Sequence, residues 1–220
     1  LKQFLINKVL YSNEKVIFTV HSAFLKNYIP DNKFIAKYLY SNAFKFVTVS
    51  KAIKTKLTNK YHFENVKVIH NAVDEPQMTA LTESLLLPNK FMIFFGRIED
   101  EVKNLTLLIV SYKRSELIEN NIKLVILGDG NDKLKLEQKV QAMSLSEYII
   151  FLPYTKNPYP IVNKAMCTVL TSHYEGFPTM LVESLSLGTP VISVNCESGP
   201  SEIILDTHNG LLVDNHNPDL

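Results

Sequence analysis

Residues 174–192 read YEGFPTMLVESLSLGTPVI, and this order of residue types predicts a loop, then a helix, then a strand. Pro178 fits at or near the first helical position, where its missing N–H costs nothing, and Thr179 is a candidate cap. Gly188 ends the predicted helix and Pro190 prevents its continuation. The segment therefore has the helix-then-strand order of an α/β protein.

Two carboxylates stand in this segment, Glu175 in the loop and Glu183 inside the first helical turns. The start of a helix binds phosphate readily because its free N–H groups and its dipole point at an anion. A carboxylate just inside such a helix can accept hydrogen bonds from a pair of sugar hydroxyls. The pattern suits a ligand that is half phosphate and half sugar. An amphipathic helix with a solvated Glu183 would have the same pattern, and both interpretations stay open here.

Short apolar, β-branched runs alternate with helical periodicity along most of the chain. Such alternation predicts a parallel sheet wrapped by helices. The predicted strands are 16–20, 46–49, 66–69, 91–95, 122–127, 148–152, 167–170, 190–194 and 210–213. The predicted helices are 31–40, 51–60, 78–85, 104–117, 131–144, 158–164, 178–187 and 200–205.

The alternation falls into two parts that a proline-containing stretch without firm periodicity separates. We predict a first domain over 1–75, a linker over 76–89 and a second domain over 90–220. The first part has too few strands for a complete domain, and the chain begins with Leu1 rather than Met. We therefore expect the first domain to be incomplete and the chain to be a fragment.

The composition is that of a globular protein with real cores, since 46% of the 220 residues are apolar. No run of eighteen apolar residues occurs, so no membrane-spanning helix is expected. Cys167 and Cys196 both lie in apolar surroundings along the sequence. They are expected to be buried, reduced thiols of a cytoplasmic protein rather than a disulfide or a metal site.

A net charge of +1 hides a strong asymmetry between the two parts of the chain. Residues 1–70 contain 12 Lys and 3 acidic residues, whereas residues 71–220 contain 11 Lys and Arg and 19 acidic residues. Basic faces attract anionic lipid headgroups, and the candidate lysines are Lys33, Lys37, Lys51, Lys54, Lys56 and Lys60. A merely solvated basic face explains the charge equally well. No nucleic-acid motif accompanies it, so a nucleic-acid partner is not expected.

Several candidate binding residues directly follow predicted strands. Arg97 comes after 91–95, Gly128 after 122–127, and Glu175 shortly after 167–170. Ligands of parallel sheets bind beyond the carboxyl ends of the strands. The common placement therefore predicts a single site at one edge of the sheet.

The segment 174–192 resembles the signature of the retaining glycosyltransferases of family 4, in which two glutamates are separated by seven residues. Residues 95–97 and 103–105 resemble that family's phosphate-binding Gly-Arg and Lys-Asn elements, and 127–130 resembles its Gly-x-Gly turn. The resemblance covers roughly residues 16–214. A subgroup that builds bacterial surface polysaccharides is matched by 151–154, 157–160 and 195–204.

The resemblance implies a GT-B fold with two Rossmann-like parallel-sheet domains, the N-terminal one incomplete in this chain. It also implies roles for individual residues. His21 and Glu175 would be catalytic residues beside the transferred sugar, and Glu183 would hold the ribose hydroxyls. The backbone N–H groups of 177–181 would cradle the diphosphate. The implied nucleotide-sugar-binding residues are Arg97, Lys103, Gly128, Leu152, Phe177, Pro178, Thr179, Leu181 and Glu183.

The implied reaction is transfer of a hexose or N-acetylhexosamine, with retention of configuration, from a nucleotide sugar that is expected to be UDP-linked. The acceptor would be a lipid-linked or growing surface saccharide. The nucleotide sugar is a substrate, so no cofactor is expected. No metal is expected either, because the sequence has no Asp-x-Asp motif and Arg97 and Lys103 supply positive charge. The expected location is the cytoplasm, including the inner face of the cell membrane.

Two other functions stay open from the sequence. One is a sugar-nucleotide epimerase of the same fold, and the other is a truncated remnant that binds nucleotide sugar without transferring it. A glycoside hydrolase, which uses two carboxylates, is disfavoured because Arg97 and Lys103 would have no task in it. Dinucleotide binding is unsupported, because the turn at Gly128 lacks the third glycine of that fingerprint.

Overall fold

The computed structural model describes residues 16–41, 43–74, 86–214 and 216–218. The helix predicted at 78–85 and most of the predicted linker lie outside the described residues. The chain divides into two compact units. The N-terminal unit consists of Leu1–Ala72, Tyr174–Phe177 and Glu197–Glu202, and the C-terminal unit consists of Val73–His173, Pro178–Cys196 and Ile203–Leu220. The domain limits 1–75, 76–89 and 90–220 stay a prediction.

The described part of the N-terminal unit contains a parallel sheet of order β1-β2-β3. Its strands are β1 (Val16–Val20), β2 (Ala43–Thr48) and β3 (Val66–Val68), and its helices are α1 (Lys33–Leu39) and α2 (Lys51–Tyr61). The core is rich in aromatic rings, such as Phe46 and Phe63, which stack with centroids 4.4 Å apart. Ser50 caps α2 by accepting a hydrogen bond from the Ile53 N–H.

The described part of the C-terminal unit contains a six-stranded parallel sheet of order β6-β5-β4-β7-β8-β9. Its strands are β4 (Phe91–Phe95), β5 (Lys123–Leu127), β6 (Ile149–Leu152), β7 (Cys167–Leu170), β8 (Val191–Val194) and β9 (Gly210–Val213). Its helices are α3 (Asp100–Lys103), α4 (Leu105–Arg114), α5 (Lys133–Ala142), α6 (Tyr159–Val162) and α7 (Thr179–Ser186). A last short helix, α8 (Pro200–Ile203), begins in the segment 197–202 of the N-terminal unit. The predicted α/β class is confirmed.

Two apolar layers cover the faces of this sheet. Phe94 and Ile126 point into one buried cluster, while Ile93 and Val125 point into the other. Burial on both faces explains why these strands read as continuous apolar runs rather than alternating ones. The chain runs from β4 through β5 to β6 and then returns to the other side of β4. The direction of winding therefore reverses between β4 and β7, where open sheets bind ligands.

The helix predicted at 104–117 is wrong in its limits. Asn104 adopts a left-handed conformation with φ of 50° and separates α3 from α4. Its side chain accepts a hydrogen bond from the Leu107 N–H at 3.4 Å and so caps α4. Asparagine tolerates this conformation better than most residues. At the other end α4 stops at Arg114, and a turn replaces the predicted continuation.

None of the helices in the described ranges is both long and apolar enough to cross a bilayer. Cys167 and Cys196 are free thiols. Cys196 is buried, as predicted, whereas Cys167 is only partly buried, and this burial raises the pKa of the Cys167 thiol to about 11. A thiol with such a pKa is mostly protonated at neutral pH and therefore unreactive.

Candidate functional site

An open pocket of about 390 Å³ lies at the carboxyl ends of β4, β5 and β6 in the C-terminal unit. It brings together three residues that the sequence predicts at the site, Arg97, Gly128 and Glu183. Its further lining comes from Phe95, Gly96, Leu127, Asp129, Tyr154, Thr155, Lys156, Pro158 and Tyr159. The pocket therefore occupies the strand ends where the common placement of the motifs predicts a site.

The floor of the pocket depends on a close approach of two backbone turns. The Gly96 N–H donates to the Leu127 carbonyl at 2.9 Å, and the Gly128 N–H donates to the Leu152 carbonyl at 3.0 Å. A Cβ atom on Gly128 would lie 1.9 Å from the Gly96 carbonyl oxygen, and the φ of Gly128 is +151°. Only glycine fits there. Leu152 itself is buried and contributes its carbonyl to this ladder rather than a side chain to the pocket.

Arg97 stands at the pocket with 72% of its side chain exposed. Its Nη1 atom contacts the Glu99 Oε1 atom at 3.2 Å. A guanidinium has five N–H donors, so one ion pair leaves it able to bind a phosphate group as well.

Lys103 is the last residue of α3, and its backbone is firmly held. Its N–H donates to the Glu99 carbonyl at 2.8 Å, and its carbonyl accepts a hydrogen bond from the Thr171 hydroxyl at 3.1 Å. The side chain is half-buried and does not belong to the lining of the pocket. Its predicted phosphate contact stays a prediction.

A carboxylate network that the sequence does not predict supports the loop carrying Arg97 and Lys103. The Asp132 carboxylate accepts a hydrogen bond from the Asp100 N–H at 2.8 Å. The Asp100 carboxylate in turn accepts from the Thr106 N–H at 2.7 Å and from its hydroxyl at 2.6 Å. The network ties the loop after β4 to the starts of α4 and α5, which fixes the position of the cationic side of the pocket.

The start of α7 differs from the prediction in its cap. Pro178 occupies the cap position with φ of −69°, and no side chain caps this helix, so the prediction of Thr179 as the cap is wrong. Thr179 already lies in the first turn, where its hydroxyl hydrogen-bonds the Glu183 carboxylate one turn later. The Leu181 N–H donates to the Pro178 carbonyl at 3.1 Å and its side chain is fully buried. Leu181 thus acts in packing, and the N–H groups before it are the candidates for an anion.

Glu183 is a half-buried carboxylate that faces the pocket. Burial raises its pKa, and the hydrogen bond with Thr179 opposes that rise. The pKa of Tyr159 is also raised, first by burial and then by the charges of Glu183 and Asp74. Tyr159 and Glu183 therefore lie close enough to influence each other across the pocket wall. A carboxylate in this setting can accept hydrogen bonds from two neighbouring sugar hydroxyls.

Replacing Glu183 with glutamine is expected to raise stability slightly at neutral pH. Since the pKa of Glu183 is higher in the folded than in the unfolded state, ionisation destabilises the fold above that raised pKa. The gain should disappear as the pH falls below the unfolded value of about 4.3. Urea unfolding at several pH values measures it, with Glu119→Gln as an exposed control. A loss of stability at neutral pH in the Glu183 variant alone would contradict the burial cost.

His21, Glu175 and Phe177 lie in the N-terminal unit, whereas the other eight predicted site residues lie in the C-terminal unit. The Ala23 N–H donates to the Glu175 carbonyl at 3.1 Å. A Cβ atom on Gly176 would lie only 1.8 Å from the His21 carbonyl oxygen. The loop with Glu175 therefore runs against the loop that follows β1, so the backbones of the two predicted catalytic residues are neighbours.

Phe177 is held by contacts inside the N-terminal unit. Its ring stacks on His70 with centroids 4.5 Å apart, and its carbonyl accepts a hydrogen bond from the Asn71 amide at 3.4 Å. The Gly176 carbonyl accepts a hydrogen bond from the Ser198 hydroxyl at 2.9 Å. These contacts fix the loop carrying Glu175 on both sides.

Two family models match the chain, and together they cover most of it. The model described as "Glycosyl transferases group 1" matches residues 81–220, and the one described as "Glycosyltransferase Family 4" matches residues 5–76. The chain belongs to the group 1 glycosyltransferases. The resemblance to family 4 that the motifs indicate is thereby confirmed.

Among similar proteins is N-acetylgalactosamine-N,N'-diacetylbacillosaminyl-diphospho-undecaprenol 4-alpha-N-acetylgalactosaminyltransferase of Campylobacter jejuni. It is 33% identical over 191 residues, which are 84% of this chain and 51% of that protein. The lipopolysaccharide 1,6-galactosyltransferase of Escherichia coli is 30% identical over 178 residues, 76% of this chain and 47% of that enzyme. The chain thus spans about half the length of these relatives.

A solved structure of a mutant of Staphylococcus aureus TarM, in complex with fondaparinux, alpha-GlcNAc-glycerol and UDP, has the same fold. Its TM-score is 0.78 at 24% identity, and the match covers 94% of this chain and 42% of that one. The structural neighbours are GT-B glycosyltransferases, so the GT-B fold predicted from the motifs is confirmed for this group 1 chain.

Several pocket residues of this group 1 chain have no role predicted from the sequence, among them Tyr154, Lys156 and Tyr159. Tyr154 is 67% exposed. The signal that could find them is their position, because they follow the end of β6 just as Arg97 follows β4. Within the described residues, no group of three His, Cys, Asp or Glu side chains is arranged to hold a metal ion.

Proposed function

We propose that this chain is part of a retaining glycosyltransferase that moves a hexose or N-acetylhexosamine from a UDP-sugar to a lipid-linked or growing surface saccharide. The observation that carries the proposal is the pocket that joins Arg97, Gly128 and Glu183 at the strand ends of a group 1 glycosyltransferase chain. Its volume of 390 Å³ falls within the range of about 300–1,000 Å³ that small-molecule sites occupy.

The C-terminal unit would bind the donor. Arg97 and Lys103 would stabilise the negative charge that grows on the departing UDP, together with the N–H groups at the start of α7. Glu183 would accept hydrogen bonds from the ribose hydroxyls. The uracil ring would lie beside the segment after β6, where Tyr154 and Tyr159 supply aromatic surface. The binding of UDP by TarM supports the choice of base.

The N-terminal unit would supply the groups beside the transferred sugar. Glu175 would orient sugar hydroxyls or stabilise the positive charge that develops at the anomeric carbon, and His21 would stand close to the same sugar. The contact between the two loops supports this proposal, because it fixes both backbones in one place. Retention of configuration is proposed from the family 4 resemblance.

The acceptor proposal comes from the relatives. The Campylobacter enzyme acts on an undecaprenol-diphosphate-linked saccharide and the Escherichia enzyme on lipopolysaccharide, according to their names. We therefore propose a lipid-linked or polymeric saccharide as acceptor, and a place of action at the cytoplasmic face of the cell membrane.

Nucleotide sugars are expected to raise the melting temperature of the chain selectively. A ligand that binds only the folded state stabilises it in proportion to RT ln(1 + [L]/Kd), about 2.7 kcal/mol at a hundred times Kd. UDP-sugars should give this shift, and GDP- and ADP-sugars should give little, when tested by differential scanning fluorimetry.

EDTA should not reduce the shift, because we propose that cationic side chains and helix N–H groups replace a metal. Absence of a shift with every UDP-sugar would contradict the donor proposal, and rescue by Mn²⁺ after EDTA would contradict metal independence.

A further inference from the structure

A carboxylate stands beside the cation that follows β4. The Glu99 Oε1 atom lies 3.2 Å from the Arg97 Nη1 atom, and 32% of the Glu99 side chain is exposed. Arg97 lines the pocket, whereas Glu99 does not. Because the two side chains are in contact, an anion that Arg97 binds would have a negative charge as a near neighbour.

Hydrogen bonds fix the backbone that carries this ion pair. The Glu99 N–H donates to the Arg97 carbonyl at 3.2 Å, which closes a three-residue turn around Ile98. Ile98 is fully buried, and its N–H donates to the Asp129 carbonyl at 2.8 Å. The Glu99 carbonyl accepts a hydrogen bond from the Lys103 N–H at 2.8 Å. The position of Glu99 next to Arg97 is therefore set by the fold of the loop and not only by the attraction of two surface charges.

Two other carboxylates, Asp129 and Glu183, line the pocket but have different partners. The Asp129 carboxylate accepts a hydrogen bond from the Gly130 N–H at 2.9 Å, and the Glu183 carboxylate hydrogen-bonds with Thr179. Among the ion pairs of the described residues, Arg97 takes part only in the one with Glu99. Glu99 is therefore the carboxylate whose charge acts on a ligand of Arg97.

The substrate and the product of the proposed donor site differ in charge. Both phosphates of a UDP-sugar are esterified, whereas free UDP ends in a phosphate whose second ionisation lies at about pH 6. At neutral pH, UDP therefore carries about one more negative charge than the UDP-sugar from which it is formed. A carboxylate close to the diphosphate repels the product more strongly than the substrate.

We propose that Glu99 makes the donor site discriminate against UDP and in favour of the UDP-sugar. Arg97 attracts both ligands, and Glu99 opposes the additional charge of the product. The consequence is faster release of UDP after transfer, a step that limits turnover in many enzymes. This inference rests on the proposed donor site and adds to it a residue that sets the preference between substrate and product.

Glu99→Gln removes the charge and keeps the shape of the side chain. The probes are UDP and its β-methyl ester, which has the charge of a UDP-sugar but no sugar to be recognised. In isothermal titration calorimetry, the Kd of UDP should fall about two- to fivefold, the size of effect typical of an exposed ion pair. The Kd of the methyl ester should fall less. The matched control is Glu101→Gln, which removes the same charge from an exposed position of α3 and should leave the ratio of the two Kd values unchanged.

A double-mutant cycle with Arg97→Ala tests whether Glu99 acts on the ligand of Arg97. Arg97 would bring the diphosphate within reach of Glu99. Glu99→Gln should therefore change the Kd of UDP less in the Arg97→Ala background than in the wild-type chain. An equal change in both backgrounds would overturn the inference.

Two further outcomes would also overturn it. Equal changes for UDP and its methyl ester in the Glu99→Gln variant, or the same change of their ratio in the Glu101→Gln variant, would refute discrimination by Glu99. In both cases the chain would still bind UDP, so the donor site would stand. A wild-type chain that binds neither probe would contradict the donor site itself, and the role of Glu99 would fall with it.

Discussion

Arg97→Ala and Lys103→Ala are each expected to weaken UDP binding by about 1.5–3 kcal/mol, the range of hydrogen bonds to charged groups. This corresponds to a rise in Kd of roughly 10- to 150-fold. The physical reason is the loss of a cation that would stand beside the diphosphate. The free energy of unfolding should change little for Arg97→Ala, because the side chain is 72% exposed and surface ion pairs contribute about 0–1 kcal/mol. Isothermal titration calorimetry with UDP measures the effect.

Matched controls for the cation variants lie at the end of α4. Arg114→Ala and Lys113→Ala remove the same charges from exposed positions outside the pocket and should leave UDP affinity unchanged. Unaltered affinity in both the Arg97 and the Lys103 variant would contradict the cationic clamp. A loss of UDP affinity in the Arg97→Ala variant alone would support the pocket as the UDP site and would show that Lys103 does not contact UDP. That result would agree with the position of the Lys103 side chain outside the pocket lining.

Gly128→Ala is expected to destabilise the C-terminal unit by about 3 kcal/mol or more and to abolish UDP binding. Its new Cβ atom would lie 1.9 Å from the Gly96 carbonyl oxygen, so the turns after β4 and β5 would have to separate. Gly96 and Gly128 both line the pocket, and that separation would open its floor. Urea unfolding gives the loss of stability, and calorimetry gives the loss of binding.

The Gly188→Ala variant measures the cost of a positive φ at a position where the new Cβ atom causes no steric clash. Gly188 also has a positive φ, +76°, but a Cβ atom there would meet no atom within 4 Å. It should cost only about 1 kcal/mol, the strain of a left-handed alanine, and should leave UDP binding intact. If Gly128→Ala were no less stable than Gly188→Ala, the close approach of the two turns would not matter to the fold.

The strands and most helices could be predicted from the sequence because their signals are local. The sequences of β4 and β5 are continuous apolar runs typical of buried strands, and Gly188 followed by Pro190 predicts the end of α7. The limits of α4 could not be read in this way. Whether Asn104 continues a helix or turns into the left-handed region depends on the capping bond it can form with Leu107.

The site could be predicted where a residue directly follows a strand, as Arg97 and Gly128 do. Tyr154 and Tyr159 also follow a strand, β6, but that β6 lies on the same side of β4 as β5 is known only from the strand order of the sheet. The net charge of a surface also depends on ion pairs between residues that are distant in the sequence. Glu197 neutralises Lys56 although the two residues are far apart in the sequence, so the sequence overstates the positive charge of α2.

Photoaffinity labelling with 5-azido-UDP-glucose can show whether the pocket at the ends of β4, β5 and β6 binds a UDP-sugar. After irradiation and proteolysis, mass spectrometry locates the label on the chain. The label should appear in the pocket-lining segments 95–97, 127–129 and 154–159, and excess UDP should prevent it. A label that UDP does not displace, or one that maps to helices α4 and α5 away from the pocket, would show that this pocket is not the donor site.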